Sequence, residues 1–236
     1  MKIGILITGH IPEQLADDFG NYGDMFESLL KDEDFTFAKY TVLENNFPNL
    51  GDCDGYIITG SKYGVYENLE WIQKLETFIR KCFNANIPIA GFCFGHQIMA
   101  QAMGGIVEKF SGGWDVGRKV YNLVHNLKME TISVMAWHQD QVIEKPKSSK
   151  LIASSDFCQI AGLVYGKTGL SLQSHPEYNS SFLKGLMCAR GALLSNKEKN
   201  SFYENINLPL STDRVTNLIK DFFRFHRPSN EEKNNG

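Results

Sequence analysis

The chain has 236 residues, 42% of them hydrophobic and 22% charged, enough apolar material for a sizeable core in one large domain or two small ones. A formal net charge of −3 leaves no basic surplus to neutralise nucleic-acid phosphates or an anionic membrane surface. The opening apolar run Ile3–Ile7 is too short for a signal h-region or a membrane span, and no later run reaches that length, so a soluble, cytoplasmic protein is expected.

The first third of the chain alternates two patterns. KIGILIT is a continuous β-branched run, the signature of a strand buried on both faces. YGDMFESLLKDE has helical spacing, with Met25, Phe26, Leu29 and Leu30 on one face. FTFAKYTVL and CDGYIITGS read as the second and third strands. NLEWIQKLETFIRKCFNA is a helix with Leu69, Ile72, Leu75, Ile79 and Phe83 in one stripe. IPIAGF is a fourth strand, and GHQIMAQAMGG opens a helix that stops at paired glycines. Strand and helix in alternation predict a parallel, doubly wound α/β sheet. From Val107 to Leu172 the pieces shorten to RKVYNLV, TISVMAW, KLIASSD and GLSLQSH, which read as antiparallel or mixed strands extending that sheet. SSFLKGLMCARGALLS and TDRVTNLIKDFFRFH predict two closing helices. No repeat or long linker divides the chain, so residues 1–227 are expected to form one domain, with a polar tail over 228–236.

Five cysteines, at 53, 82, 93, 158 and 188, form no CxxC pair, which argues against a zinc site and a disulfide framework. Cys93 differs from the rest because it stands where a buried strand turns into a helix. Such a turn pushes its side chain into a cleft at the carboxyl end of the sheet. The helix N-terminus there supplies unpaired N–H groups and partial positive charge, both of which favour the nucleophilic thiolate. Gly91 and Gly95 let the backbone turn tightly. For a lone cysteine the competing reading is packing, and Cys53, Cys82, Cys158 and Cys188 take it. A nucleophile needs a base, and the base an orienting group. LSLQSHPEYNSS offers both: His175 ends a strand pattern and Glu177 follows at i+2, a spacing that puts both side chains on one side of an extended segment. A surface His-Pro-Glu turn is the alternative.

GFCFGHQ together with SHPE, His175 lying 82 residues after Cys93, closely resembles the class I glutamine amidotransferases over most of the chain. The resemblance implies a three-layer α/β fold of flavodoxin-like type, with a mostly parallel central sheet flanked by helices. It implies a triad of Cys93 as nucleophile, His175 as general base and acid, and Glu177 as the group orienting His175. ITGSKYGVY resembles the loop that supplies one oxyanion-hole N–H, with Gly60 at the matching position and the N–H of Phe94 as the second donor. Gln97 matches a glutamine beside the substrate side chain. GGWDVG, containing Trp114, resembles a family segment that more often carries glutamate at the place of Asp115. WHQD resembles the family's SHGD near the substrate α-carboxylate, which implicates His138, and Gln139 stands where the family has glycine.

The implied chemistry is attack on a γ-glutamyl amide, a γ-glutamyl thioester on Cys93, and hydrolysis by water, with no metal or organic cofactor. The chain contains no P-loop and no SGGxDS-type ATP motif, so it is expected to be free-standing. Three functions stay open: a hydrolase of γ-glutamyl compounds resembling the γ-glutamyl peptidase branch, a glutaminase subunit delivering ammonia to a separate synthetase partner, and a catalytically silent binding protein. YGDMF, ITGSKYGVYENLEWI and GGWDVG favour the first, with Tyr63, Tyr66 and Trp114 as apolar rim for a large leaving group or, equally, as loop packing. The remaining conspicuous residues take structural roles. His96 packs under the turn, His10 has no tie to chemistry, Phe222, Phe223 and Phe225 form a core stripe, and KDEDF is a solvated helix end.

Overall fold

The computed structural model of the protein describes residues 1–125 and 128–226, and the expected tail over 228–236 lies outside them. In chain order the elements are β1 Lys2–Ile7, α1 Ala16–Phe19, α2 Tyr22–Leu30, β2 Thr36–Thr41, β3 Gly55–Ile58, α3 Glu70–Asn84, β4 Ile89–Phe92 and α4 Phe94–Ala102. Then come β5 Ile106–Lys109, β6 Asp115–His125, β7 Lys128–His138, β8 Asp140–Glu144, β9 Ser149–Ser154, β10 Gly162–Tyr165, β11 Gly169–Leu172, α5 Ser180–Arg190, α6 Asn196–Asn205 and α7 Thr212–Phe225.

The main sheet runs β2-β1-β3-β4-β11-β10-β9-β6-β7. Its first five strands are parallel, and β10, β9, β6 and β7 extend it by antiparallel pairing. Helices cover both faces, so the α/β reading of the sequence holds.

Side chains alternate faces along each parallel strand, as the period of two requires. Ile3, Ile5 and Ile7 of β1 join Phe26 and Leu30 of α2 and Val215, Ile219 and Phe223 of α7 on one side. Leu6, between them, joins Ile72, Leu75 and Ile79 of α3 and Ile98 and Met99 of α4 on the other. Each such fully buried side chain contributes about 1.5–3 kcal/mol of apolar transfer energy. The helices begin where local chemistry starts them. Asn21 caps α2 by accepting from the Gly23 and Asp24 N–H groups at 2.8 and 3.1 Å, and Asp24 accepts from the Asn21 N–H at 2.8 Å, a reciprocal capping box.

Several expectations change. Three helices, not two, close the chain, because α6 intervenes. It buries mainly Phe202 and so has almost no apolar periodicity, but its capping box, Ser195 with Glu198, is written in the sequence. β5 and β8 leave the main sheet and pair with each other. Of the phenylalanine stripe, Phe223 is buried but Phe225 is 70% exposed, because the helical face turns away from the sheet between them. Cys188 is exposed rather than packed. The acidic end after α2 is more than solvated: Lys220 and Arg224 of α7 reach Asp32 at 3.1 and 2.9 Å, and Arg224 reaches Asp34 at 3.1 Å, fastening α7 beside α2.

Candidate active site

β3, β4 and β11 are neighbours in the sheet, and the residues just after the carboxyl ends of β3 and β4 line one cleft. Cys93 follows β4 and caps α4 with φ 52° and ψ −104°. Among the described residues, the other non-glycine positions with positive φ are Asn45 and Asn86, a residue type that tolerates the region, so the strain falls on the cysteine. The flanking glycines follow from close approach. A Cβ on Gly91 would collide with the Gly95 carbonyl, and one on Gly95 with the Ile58 carbonyl. Only with both absent does α4 sit down on β3 and β4 and hold the turn sharp.

His175 comes three residues after β11. Its N–H donates to the Met135 carbonyl at 2.8 Å, tying the segment to β7. Its Nδ1 lies 2.7 Å from Glu177 Oε1, and because the carboxylate accepts, Nδ1 carries the proton. Nε2 is then the nitrogen left free to exchange a proton with the Cys93 sulfur, whose charge acts on this ring, while the Cys93 thiol itself lies 4.0 Å from the Trp137 carbonyl. Burial opposes a charge on this ring, but the Cys93 sulfur and the Glu177 carboxylate, by charge and hydrogen bond, push the imidazole up to about 10. Burial pushes the Cys82 and Cys158 thiols up to about 12 and also raises Cys53, which suits inert packing.

Gly60 follows β3 and abuts the His175 ring. A Cβ there would lie 2.8 Å from Cε1 and 3.6 and 3.7 Å from the two ring nitrogens, an edge-on approach. The loop is pinned by Thr8, buried just after β1, whose hydroxyl lies 3.0 Å from each of the Thr59 and Gly60 carbonyls. The Ser61 hydroxyl donates back to the Thr8 carbonyl at 2.7 Å. Thr8 is absent from the sequence reading. Its signal was a polar residue directly after an apolar strand, at the cleft end of the sheet.

A cavity of about 500 Å³ opens beside Cys93 and is also lined by Gln97, Trp114, His138 and Gln139. Tyr63 and Tyr66 line it too, and the Tyr66 hydroxyl donates to Asp140 at 2.9 Å. Gln97 spends its amide protons on the Asp140 carbonyl at 2.8 Å and on Gln173 Oε1 at 3.1 Å, which leaves its own Oε1 as the acceptor. Phe94 is buried at the first turn of α4, where backbone N–H groups lack intrahelical partners. Asp115 is not brought into the cavity wall. It is buried behind it, 2.7 Å from Lys119 and 3.9 Å from His138 Nε2. Burial lowers His138 to about 4, with Asp115 partly opposing. His138 is therefore neutral at pH 7. His96 is wholly buried, 2.7 Å from the Ser171 hydroxyl and 3.0 Å from the Ile160 carbonyl, and its desolvation lowers it to about 4. His10 sits on the surface, 3.4 Å from Glu44.

Among the described residues, no group of three or more His, Cys, Asp or Glu is arranged to hold a metal ion, and no helix is long and apolar enough to cross a membrane.

Fold and cleft define an α/β protein organised around a cysteine at a strand–helix turn. The chain belongs to the family described as Glutamine amidotransferase class-I, whose model matches residues 21–192. It is 31% identical to Gamma-glutamyl peptidase 4 of Arabidopsis thaliana, over 70% of this chain and 71% of that protein. It is 32% identical to a GMP synthase (glutamine-hydrolyzing) subunit of Archaeoglobus fulgidus, over 70% of this chain and 88% of that one. A crystal structure of a glutamine amidotransferase from Thermotoga maritima superposes with a TM-score of 0.71 at 20% identity, covering 95% of this chain and 96% of the other, a likeness of fold.

Proposed function

We propose that the protein hydrolyses γ-glutamyl amides through a thioester on Cys93. The observation that carries the reading is a chain of groups, Glu177 on His175 Nδ1 at 2.7 Å, His175 under the charge of Cys93, and Cys93 in the wall of the cavity. The Cys93 thiolate attacks the γ-carbonyl carbon, and the carbonyl electrons move to oxygen, where the N–H groups of Gly60 and Phe94 receive the charge. On collapse, His175 gives its proton to the departing nitrogen, and a γ-glutamyl thioester remains. Water then loses a proton to His175 as its oxygen attacks the thioester, and glutamate and the thiolate are released. Glu177 keeps the proton of Nδ1 in place throughout, so that Nε2 does the exchange. Every group in these steps belongs to this chain, the substrate or water. Gln97 Oε1 accepts from the γ-glutamyl moiety, and His138, Gln139 and Trp114 complete its pocket. Asp115 acts indirectly, paired with Lys119 at 2.7 Å and standing 3.9 Å from Nε2 of neutral His138.

The similarity to γ-glutamyl peptidases and a cavity flanked by Tyr63, Tyr66 and Trp114 support a leaving group larger than ammonia and a hydrolase acting alone. The similarity to the GMP synthase relative favours a second reading, a glutaminase that passes ammonia to a synthetase partner. Glutamate release decides between them when the purified chain is given glutamine, a γ-glutamyl dipeptide and a glutathione conjugate. The hydrolase reading expects a higher kcat/KM on the larger substrates. Turnover of glutamine alone, and only after a second protein is added, overturns it.

A further inference from the structure

Tyr178 occupies a place that neither the triad chemistry nor the cavity accounts for. Its ring lies face to face with the His175 imidazole, centroids 3.9 Å apart and planes 5° from parallel. Both residues are buried. The Tyr178 ring cannot swing away, because Phe182 packs against it at 4.5 Å and Tyr22 of α2 stacks at 6.2 Å from the far side of the cluster. Asn179 starts α5 immediately afterwards, accepting from the Phe182 N–H at 2.8 Å, so the backbone on the C-terminal side of Tyr178 is fixed as well.

The imidazole needs such a surface. Glu177 holds Nδ1 through Oε1 only, and its buried Oε2 has no hydrogen-bond partner among the described residues, so the carboxylate is a one-point tether. A single hydrogen bond at Nδ1 restrains rotation about the Cβ–Cγ bond without locking it, and that rotation carries Nε2 away from the sulfur. Gly60 blocks the Cε1 edge near the plane of the ring, as distances to the two nitrogens nearly an ångström longer than to Cε1 show, and leaves the faces open. Tyr178 closes one of them. The groups around the ring are then Cys93 from α4, Glu177 and Tyr178 from its own segment, Tyr22 from α2 behind Tyr178, and His138 from β7, which burial keeps neutral at pH 7. The His175 imidazolium lies on the face of Tyr178, and the negative face of an aromatic ring attracts it.

We propose that Tyr178 is a positioning residue that sets the plane of the His175 ring and steadies its charged form, so that Nε2 stays on Cys93. The inference rests on the triad reading of Cys93, His175 and Glu177, and its test separates the two. The rate at which iodoacetamide alkylates Cys93 at neutral pH reads the thiolate and its partner without any assumption about substrate. Wild type is compared with Tyr178→Phe, which keeps the ring, with Tyr178→Leu and Tyr178→Met, which remove it, and with His175→Ala. Near-ultraviolet circular dichroism selects the folded variants, and Met, long and adaptable, keeps the series complete if Leu collapses the site. Tyr178→Phe should stay within about twofold of wild type, and the Leu and Met variants should slow by roughly fivefold, the worth of one aromatic contact on a charged ring. On any γ-glutamyl substrate that the wild type turns over, the same variants should lower kcat and leave KM nearly unchanged. If His175→Ala slows alkylation and the folded Leu and Met variants do not, the role of Tyr178 is refuted and the triad stands. If Tyr178→Phe is as slow as Tyr178→Leu, the hydroxyl matters and the stacking idea is wrong. If His175→Ala leaves the rate unchanged, the triad reading falls and takes this inference with it.

Discussion

A cysteine held at φ 52° and ψ −104° occupies backbone space that glycine enters freely and other residues enter at a cost of order 1–3 kcal/mol. The strain lifts the sulfur into the cleft, so stability and activity should conflict at Cys93. Cys93→Ala and Cys93→Gly both remove the sulfur, but only the glycine removes the strain. Cys93→Gly is expected to be more stable than Cys93→Ala by about 1 kcal/mol in urea denaturation, although both are inactive. Equal midpoints would mean that the turn is unstrained. Gly60 gives the complementary case, in which adding a single methyl group does the damage. Gly60→Ala places that methyl against His175 Cε1, in a space 2.8 Å wide, and the imidazole has to yield because Gly60 is held through Thr8. Displacing His175, the proton carrier of the proposed mechanism, by a fraction of an ångström should lower kcat by roughly ten- to a hundredfold with little change in melting temperature. A folded Gly60→Ala enzyme with full kcat would refute the contact.

At the scale of elements, the cavity rim depends on a helix with little core of its own. Glu198 of α6 accepts from the Trp114 N–H at 2.6 Å through one oxygen, and from the Ser195 N–H at 2.6 Å through the other. One carboxylate therefore caps its own helix and anchors the loop that carries Trp114. Its pKa is lowered, the backbone and Ser195 hydrogen bonds outweighing the opposing effect of desolvation. Glu198→Ala should cost about 1–2 kcal/mol, the worth of a cap plus one charge-assisted bond. It should also raise KM for large leaving groups more than for glutamine, since Trp114 would no longer be held. A uniform change in KM across substrates would detach the loop from substrate selection. Neither α6 nor its link to Trp114 was legible from apolar periodicity, because α6 is mostly exposed. The capping box was the signal available. The separate β5–β8 pair was illegible for another reason. Strand propensity says that a segment is extended but not which neighbour it joins, and Val107 and Val142 are buried against α4's side of the sheet rather than in the main ladder.

At the scale of the molecule, packing has sealed three of the described histidines away from water, and two of them, unlike His175, resist taking up a proton. The folded values of His96 and His138, about 4, lie below the ordinary imidazole value of 6.5, chiefly through burial. Between those limits the unfolded chain binds protons that the folded chain refuses. The stability these groups contribute is fully present above pH 6.5 and is lost as the pH falls towards 4. Two such groups give a slope approaching about 2.7 kcal/mol per pH unit within that window. Urea denaturation at pH 7.5, 6.5 and 5.5 measures it. His96→Gln should flatten the slope between 6.5 and 5.5 by about half, because only His138 then remains to take up a proton on unfolding. A slope unchanged by His96→Gln would show that other groups drive the acid sensitivity.

The sequence by itself determined the alternating α/β order, the strand–turn–helix around Cys93, the His175–Glu177 pair and the glycines that flank the turn. These are local: apolar periodicity, caps and motif spacing involve residues a few positions apart, and their chemistry is written in residue type. The tertiary structure decided everything that depends on which segments meet. It decided that β11 lies beside β4, which brings His175 to Cys93, and that Thr8 holds the Gly60 loop. It set Tyr178 flat on His175 and withdrew Asp115 behind the cavity wall. These contacts join residues tens of positions apart or depend on orientations that no spacing specifies. Only packing of the sheet and helices into close contact fixes them, because a closed core selects one relative placement among the many that the local pattern allows.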